Sequence, residues 1–180
     1  MRTFLKTIFI LFFIITSLNA EGKLYYKTGI YDYKHETGGL AFTLKNVTDN
    51  SYNIFSLGEL TQIYEFMGII DKNNNFSKGK NAKQRDEYAI YLSSGLQKKI
   101  NFSENVALVP SFSIGLYQEF DEGKDMGFPI EFKSELELNY YIFDNSVLGL
   151  TYNHISNANI GDTNPGSDSV LVTFMVKEKF

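Results

Sequence analysis

Apolar and polar residues alternate along most of this chain with a period of two. Between positions 130 and 140 the even positions are mostly apolar, whereas the odd positions carry charged or amide side chains. The same alternation recurs near 40–45, 88–97 and 106–116. A period of two is typical of β-strands, in which successive side chains point to opposite faces. The pattern therefore predicts an all-β protein.

We predict eight strands, several of them longer than ten residues. Strands of soluble proteins are usually about five or six residues long, whereas a tilted transmembrane strand needs about 9 to 11. The lengths therefore favour a strand that crosses a membrane. The predicted strands cover 25–33, 40–47, 54–70, 87–102, 105–119, 129–143, 146–157 and 168–180.

The predicted connections alternate between short and long. Ser103-Glu104 and Asp144-Asn145 are tight turns, whereas 71–86, 120–128 and 158–167 are long and polar. Short turns on one rim and long loops on the other are typical of outer-membrane barrels. We therefore predict an eight-stranded antiparallel transmembrane β-barrel. A secreted soluble barrel with an apolar interior stays open, because alternation does not show which face meets lipid.

Both ends of the chain favour export to an outer membrane. Arg2 and Lys6 precede an apolar run, and Ala20 offers a small residue at a cleavage point. Residues 1–20 are therefore predicted to be a signal peptide, since the run is too short to span a bilayer as a helix. The remaining 21–180 form one barrel domain, and its terminal Phe180 resembles the last residue of the C-terminal recognition strand of bacterial outer-membrane proteins.

The amino-acid composition excludes several classes of function. The chain of 180 residues has 17 basic and 21 acidic residues and a formal net charge of −4. This balance gives no electrostatic footprint for nucleic acid. There is no Cys, so disulfides, thiolate metal sites and a Cys nucleophile are excluded.

In a membrane barrel the charged face of the strand near 130–140 points into the lumen. Eight strands enclose a space that their own side chains can fill, so no pore is expected. We interpret Glu131, Lys133, Glu135 and Glu137 as part of a salt-bridged internal plug. A proton relay or a catalytic carboxylate pair is the alternative.

A candidate reactive site lies on the outward face of the seventh predicted strand. His154 and Ser156 are two positions apart, so they share one face at a separation of about 7 Å. Asp168 begins the outward register of the next strand and is expected beside them. An acid, a His and a Ser are the parts of a nucleophilic hydrolase. Solvated strand-end groups are the alternative, and His35 is interpreted as a solvated loop residue.

These residues resemble a family signature. His154-Ile155-Ser156-Asn157-Ala158, followed by Asn164-Pro165-Gly166 and a terminal aromatic, is similar to the motif of the outer-membrane lipid A 3-O-deacylases of the PagL type, also labelled acyloxyacyl hydrolase-related. The resemblance implies that Ser156 is the nucleophile and His154 the general base. It also implies an oxyanion hole formed by Asn164 and the backbone N–H of Asn157. Asp168 stands where the family usually has Glu, one methylene longer.

The resemblance further implies a bacterial outer-membrane serine esterase that needs no metal and no cofactor. Its substrate would be the ester-linked 3-hydroxyacyl chain of lipid A in lipopolysaccharide, reached from the outer-leaflet side. A phospholipase or acyltransferase, which the same nucleophile could serve, and a non-catalytic structural barrel are the alternatives. The expected partner is the lipid of the outer membrane, and binding to nucleic acid is not expected. The sequence does not decide whether the protein forms a homodimer.

Overall fold

The structure is a computed structural model and describes residues 22–33, 39–71, 87–120, 125–143 and 146–176. Several predictions lie outside these residues: the signal peptide at 1–20, the loop residue His35, the Asp144-Asn145 turn and the terminal Phe180. No helix in the described part of the chain is long and apolar enough to cross a membrane. The described strands are β1 (Gly22–Tyr31), β2 (Gly39–Asn53), β3 (Glu59–Asp71), β4 (Glu87–Gln97), β5 (Ile100–Asn101), β6 (Val106–Phe120), β7 (Ile130–Phe143), β8 (Ser146–Ser156) and β9 (Ser167–Val176).

The strands close into an antiparallel barrel. Neighbouring strands pair in the order β4-β3-β2-β1-β9-β8-β7-β6, and β4 also pairs with β6. The two-residue β5 follows β4 after a gap of two residues and pairs with the same neighbour, so the two form one wall strand. The barrel therefore has eight wall strands, and the predicted fold class is confirmed.

Two predicted strand boundaries are wrong. The predicted strand 54–70 begins only at Glu59, and β2 extends beyond its predicted end to Asn53. Between them a short 3-10 helix covers Phe55–Leu57, followed by Gly58 at a φ of +74°. The apolar residues of this segment resemble a strand in sequence, but the positive φ, which Gly adopts without steric cost, reverses the chain there.

The barrel is apolar outside and polar inside. Buried positions include many Lys, Glu, Asn, Ser and Thr side chains, whereas large apolar side chains such as Leu40, Phe42, Leu138 and Leu150 are exposed. A soluble protein buries its apolar face, so this distribution contradicts the soluble-barrel alternative and fits strands that face lipid.

A charged layer fills the middle of the lumen. The fully buried Glu135 carboxylate lies 2.5 Å from Lys27 Nζ, 3.1 Å from Lys45 Nζ and 3.0 Å from Lys133 Nζ. Lys27 Nζ also lies 2.5 Å from Glu137 Oε2. Burial of this kind is tolerated only when each charge is paired. The salt-bridged plug predicted from sequence is therefore confirmed for Lys133, Glu135 and Glu137.

Glu131, the fourth predicted member of the plug, is placed differently. It is fully buried at the loop end of β7, but its carboxylate oxygens accept no hydrogen bond from the described residues.

Apolar layers close the lumen on either side of the charges. Toward the long loops these include Tyr31, Met67, Tyr91 and Met126, and toward the short turns Tyr25, Val147 and Met175.

Candidate active site

Strand β8 carries three polar side chains on its outer face near the long-loop rim. Leu148 and Leu150 are exposed, and Tyr152, His154 and Ser156 continue the same register by twos. Asp168 on β9 is the cross-strand partner of His154, and His154 Nδ1 lies 3.2 Å from Asp168 Oδ1. The predicted adjacency of the acid and the imidazole is confirmed.

The contact between His154 and Asp168 sets the tautomer that this site can use. When Nδ1–H donates to the carboxylate, Nε2 is left as a proton acceptor, as in Ser-His-Asp hydrolases. The imidazole is about 43% exposed and the Asp168 side chain only 8%. The imidazole of His154 is therefore accessible from the outside of the barrel, whereas the Asp168 carboxylate is shielded.

Ser156 lies one step further along the same face, beside Phe132 of β7. No hydrogen bond joins its hydroxyl to the imidazole of His154 in the described conformation. Such contacts often tighten only when substrate is bound. The structure thus places His154 and Ser156 on the same face of β8 without a hydrogen bond between their side chains.

The backbone of Asp168 is held by the segment that follows β1. The backbone N–H of Asp168 donates to Asp32 Oδ1 at 3.3 Å, and the N–H of Tyr33 donates to the Asp168 carbonyl at 3.0 Å. Asp32 is fully buried and has a φ of +53°. Its carboxylate therefore belongs to the support of the site, which sequence analysis missed because β1 lies so far from β9 in the chain.

Tyr152 is the second residue of the site that sequence analysis missed. Its hydroxyl donates a hydrogen bond to Asp168 Oδ1, the oxygen that also faces His154 Nδ1. Its position two residues before His154 on the same face was visible in the alternation. The pairing register of β8 with β9 is needed to show that the Tyr152 hydroxyl reaches Asp168.

The two asparagines predicted for the oxyanion hole lie together. The backbone N–H of Asn157 donates to Asn164 Oδ1 at 3.1 Å, and Asn164 Nδ2 donates to Asn159 Oδ1 at 3.2 Å. The two residues are thus adjacent, and the N–H of Asn157 is paired with Asn164 in this conformation.

The side chain of Asn157 ties two loops together. It is fully buried, and its Nδ2 donates to the carbonyls of Met126, at 2.8 Å, and Thr163, at 2.7 Å. Its Oδ1 accepts the backbone N–H of Asn159 at 2.9 Å. The loop before β7 and the loop after β8 are therefore fixed to each other beside Ser156.

Gly166 lies against the imidazole. A Cβ added to it would come within 3.0 Å of His154 Cε1 and 3.6 Å of His154 Nε2, and its φ is +63°. The glycine of the Asn164-Pro165-Gly166 segment is therefore required both for its backbone conformation and for the space that the ring occupies.

The described residues contain no group of three or more His, Asp or Glu side chains arranged to hold a metal ion.

The fold is an all-antiparallel membrane barrel with a polar lumen and an apolar outer face, and an acid, a His and a Ser lie on that outer face near the loop rim. The chain belongs to the lipid A 3-O-deacylase (PagL) family, whose model matches residues 58–177. That range includes β3 to the end of β9 and all five predicted site residues. No curated protein sequence matches the chain.

Two solved structures have a similar fold. One is the crystal structure of the outer membrane enzyme PagL, which is 15% identical with a TM-score of 0.56; the match covers 87% of this chain and 100% of that one. The other is the crystal structure of Neisserial surface protein A (NspA), at 12% identity and a TM-score of 0.56, covering 86% of this chain and 97% of that one. At these identities the likeness establishes the fold alone.

Proposed function

We propose that this protein is a serine esterase of the bacterial outer membrane that removes the ester-linked 3-hydroxyacyl chain of lipid A. The observation that carries the proposal is the His154–Asp168 contact on the outer barrel face, with Ser156 on the same face. Membership of the deacylase family supports the substrate class.

In the proposed mechanism Ser156 Oγ attacks the ester carbonyl while His154 Nε2 takes its proton. Asp168 holds the imidazole through Nδ1–H and stabilises the imidazolium that forms. The protonated His154 then gives its proton to the departing sugar hydroxyl. Water, deprotonated by the same base, hydrolyses the acyl-enzyme and releases the hydroxy fatty acid. None of these steps uses a metal or a cofactor.

The oxyanion of the tetrahedral intermediate is proposed to bind at Asn164 and the N–H of Asn157. Asn164 Nδ2 has a second N–H besides the one that it gives to Asn159 Oδ1, and the Asn157 N–H would exchange its present acceptor for the oxyanion. Loss of one such donor typically costs about a hundredfold or more in turnover.

The surroundings of Ser156 suit an acyl chain. Phe132 pairs with Ser156 across the strands, and its ring stacks on Phe112 with centroids 6.0 Å apart. Further along the same face Leu136 and Leu138 are about half exposed. A fatty acyl chain in the outer leaflet would therefore meet an apolar surface that leads to the nucleophile, with no tunnel through the lumen.

The proposal is tested with Ser156→Ala. The refolded variant should resist unfolding in cold SDS as wild type does, because the substitution keeps a small side chain at the strand end. Mass spectrometry of lipid A incubated with it should show no loss of the hydroxyacyl mass. His154→Asn should give the same result, since without the imidazole a serine hydroxyl is a weak nucleophile. Ser146→Ala, at the other end of β8, is the matched control and should retain full activity.

The alternatives correspond to different results of this experiment. Ser156-dependent cleavage of glycerophospholipids with lipid A left intact would replace the substrate and keep the reaction class. A folded wild-type protein that changes neither lipid would favour the structural barrel.

A further inference from the structure

The Asp168 carboxylate is in an unusual place for the acid of a catalytic triad. It is on the outward register of β9, yet its side chain is only 8% exposed, and Tyr152 and His154 of β8 contact its carboxylate. The hydrocarbon core of a bilayer offers no hydrogen-bond donors, and a carboxylate that is this well shielded has little access to donors at the membrane surface. The donors that orient this acid must therefore come from the protein.

Tyr152 supplies one of these donors across the strands. His154 pairs directly with Asp168, and Tyr152 pairs with Val170, so Tyr152 is diagonal to the acid. Diagonal positions of this kind are within reach of aromatic side chains. The Tyr152 ring is 37% exposed on the outer face, while its hydroxyl donates to Asp168 Oδ1.

We propose that Tyr152 is a positioning residue of the reaction, which holds the Asp168 carboxylate so that Oδ1 faces His154 Nδ1. The inference rests on the proposed function and adds a residue to it. An aspartate has one rotatable bond between Cβ and its carboxyl group, and a donor held by a neighbouring strand restricts rotation about that bond. The hydroxyl of Tyr152 is such a donor to Asp168 Oδ1.

The test is Tyr152→Phe, which removes only the hydroxyl and keeps the ring. Since a hydrogen bond to a charged group is lost, kcat on lipid A should fall about tenfold or more, with KM within about twofold. Tyr140→Phe is the matched control. It removes the same oxygen from another exposed tyrosine of the outer face, away from the site, and should leave kcat unchanged.

A double-mutant cycle with Asp168→Asn separates positioning from a structural role. If Tyr152 acts through Asp168, the Tyr152→Phe substitution should cause no further loss of kcat in the Asp168→Asn background. Additive losses would overturn the proposal. So would full activity of Tyr152→Phe, or an effect on KM alone, which would make the hydroxyl a substrate contact.

A second readout keeps this inference distinct from the substrate assignment. The rate at which a fluorophosphonate labels Ser156 reports the activated nucleophile without lipid A. If wild type is labelled but leaves lipid A intact, the proposed substrate is wrong, and slower labelling of Tyr152→Phe that is non-additive with Asp168→Asn still supports the positioning role. If wild-type Ser156 is not labelled, both proposals are overturned.

Discussion

Substitution of Gly166 by Ala tests how closely the site geometry depends on the loop after β8. The new Cβ would lie 3.0 Å from His154 Cε1, whereas carbon atoms pack best at about 3.5–4.0 Å. The imidazole must then move by a few tenths of an ångström relative to the loop. The Nδ1 to Oδ1 distance is already 3.2 Å, so a shift of this size that lengthens it weakens the hydrogen bond to Asp168.

The expected loss of activity per folded molecule is distinct from the expected loss of stability. A misplacement of about 1 Å in a catalytic group can cost on the order of a hundredfold in rate, so for a shift of a few tenths of an ångström we expect kcat on lipid A to fall about three- to tenfold. A non-glycine residue in the left-handed region costs only about 1–2 kcal/mol. The assay is mass spectrometry of lipid A over time, with the fraction of SDS-resistant barrel measured on the same samples.

Gly58→Ala is the matched control for backbone strain. Gly58 has a φ of +74°, but the nearest atom to an added Cβ is Lys98 Nζ at 3.8 Å. This variant should therefore lose stability and keep its activity per folded molecule. The reasoning fails if Gly166→Ala keeps wild-type turnover, or if Gly58→Ala loses as much turnover per folded barrel.

Two further predictions concern the lumen and the orientation. Lys27→Met leaves Glu135 and Glu137 without their 2.5 Å partner and should reduce the free energy of unfolding in urea by about 3–5 kcal/mol. Lys23→Met, at an exposed position, is the control and should not reduce it. Equal urea midpoints for wild type and Lys27→Met would refute the role of the charged layer. The chain has no Cys, so on intact cells a membrane-impermeant maleimide should label Asp162→Cys in the long loop and not Glu104→Cys in the short turn. The reverse labelling pattern would invert the orientation and place the site toward the periplasm.

The fold could be predicted from the sequence because a period of two reports directly which residues share a face. Long strands and unequal connections then indicated a membrane barrel, and the inward charges near 130–140 indicated a filled lumen. The segment between β2 and β3 was predicted wrongly, since apolar residues at 54–57 satisfy the strand pattern equally well. Its 3-10 helix depends on the positive φ of Gly58, which alternation does not encode.

The sequence predicts only those contacts of the site that form between strands adjacent in the chain. One hairpin joins β8 to β9, so the adjacency of His154 and Asp168 follows from the outward registers of both strands. Asp32 could not be found in this way, because it reaches Asp168 only through the pairing of the first strand with the last. The pairing of Asn157 with Asn164 likewise depends on loop geometry, for which the sequence gives no period.

The alternation of β8 also couples the site to the lumen. Tyr152, His154 and Ser156 face outward, whereas Asn153 and Ile155 between them are fully buried. An outward side chain on a strand has no packing of its own on the lipid side, so the backbone that carries it must be fixed from the inside. The buried neighbours of His154 supply that support, as Thr151 does further along the strand through its hydroxyl contact with Thr173 at 2.7 Å. The filled interior therefore serves the proposed chemistry, because it holds a surface-exposed base in register with its acid.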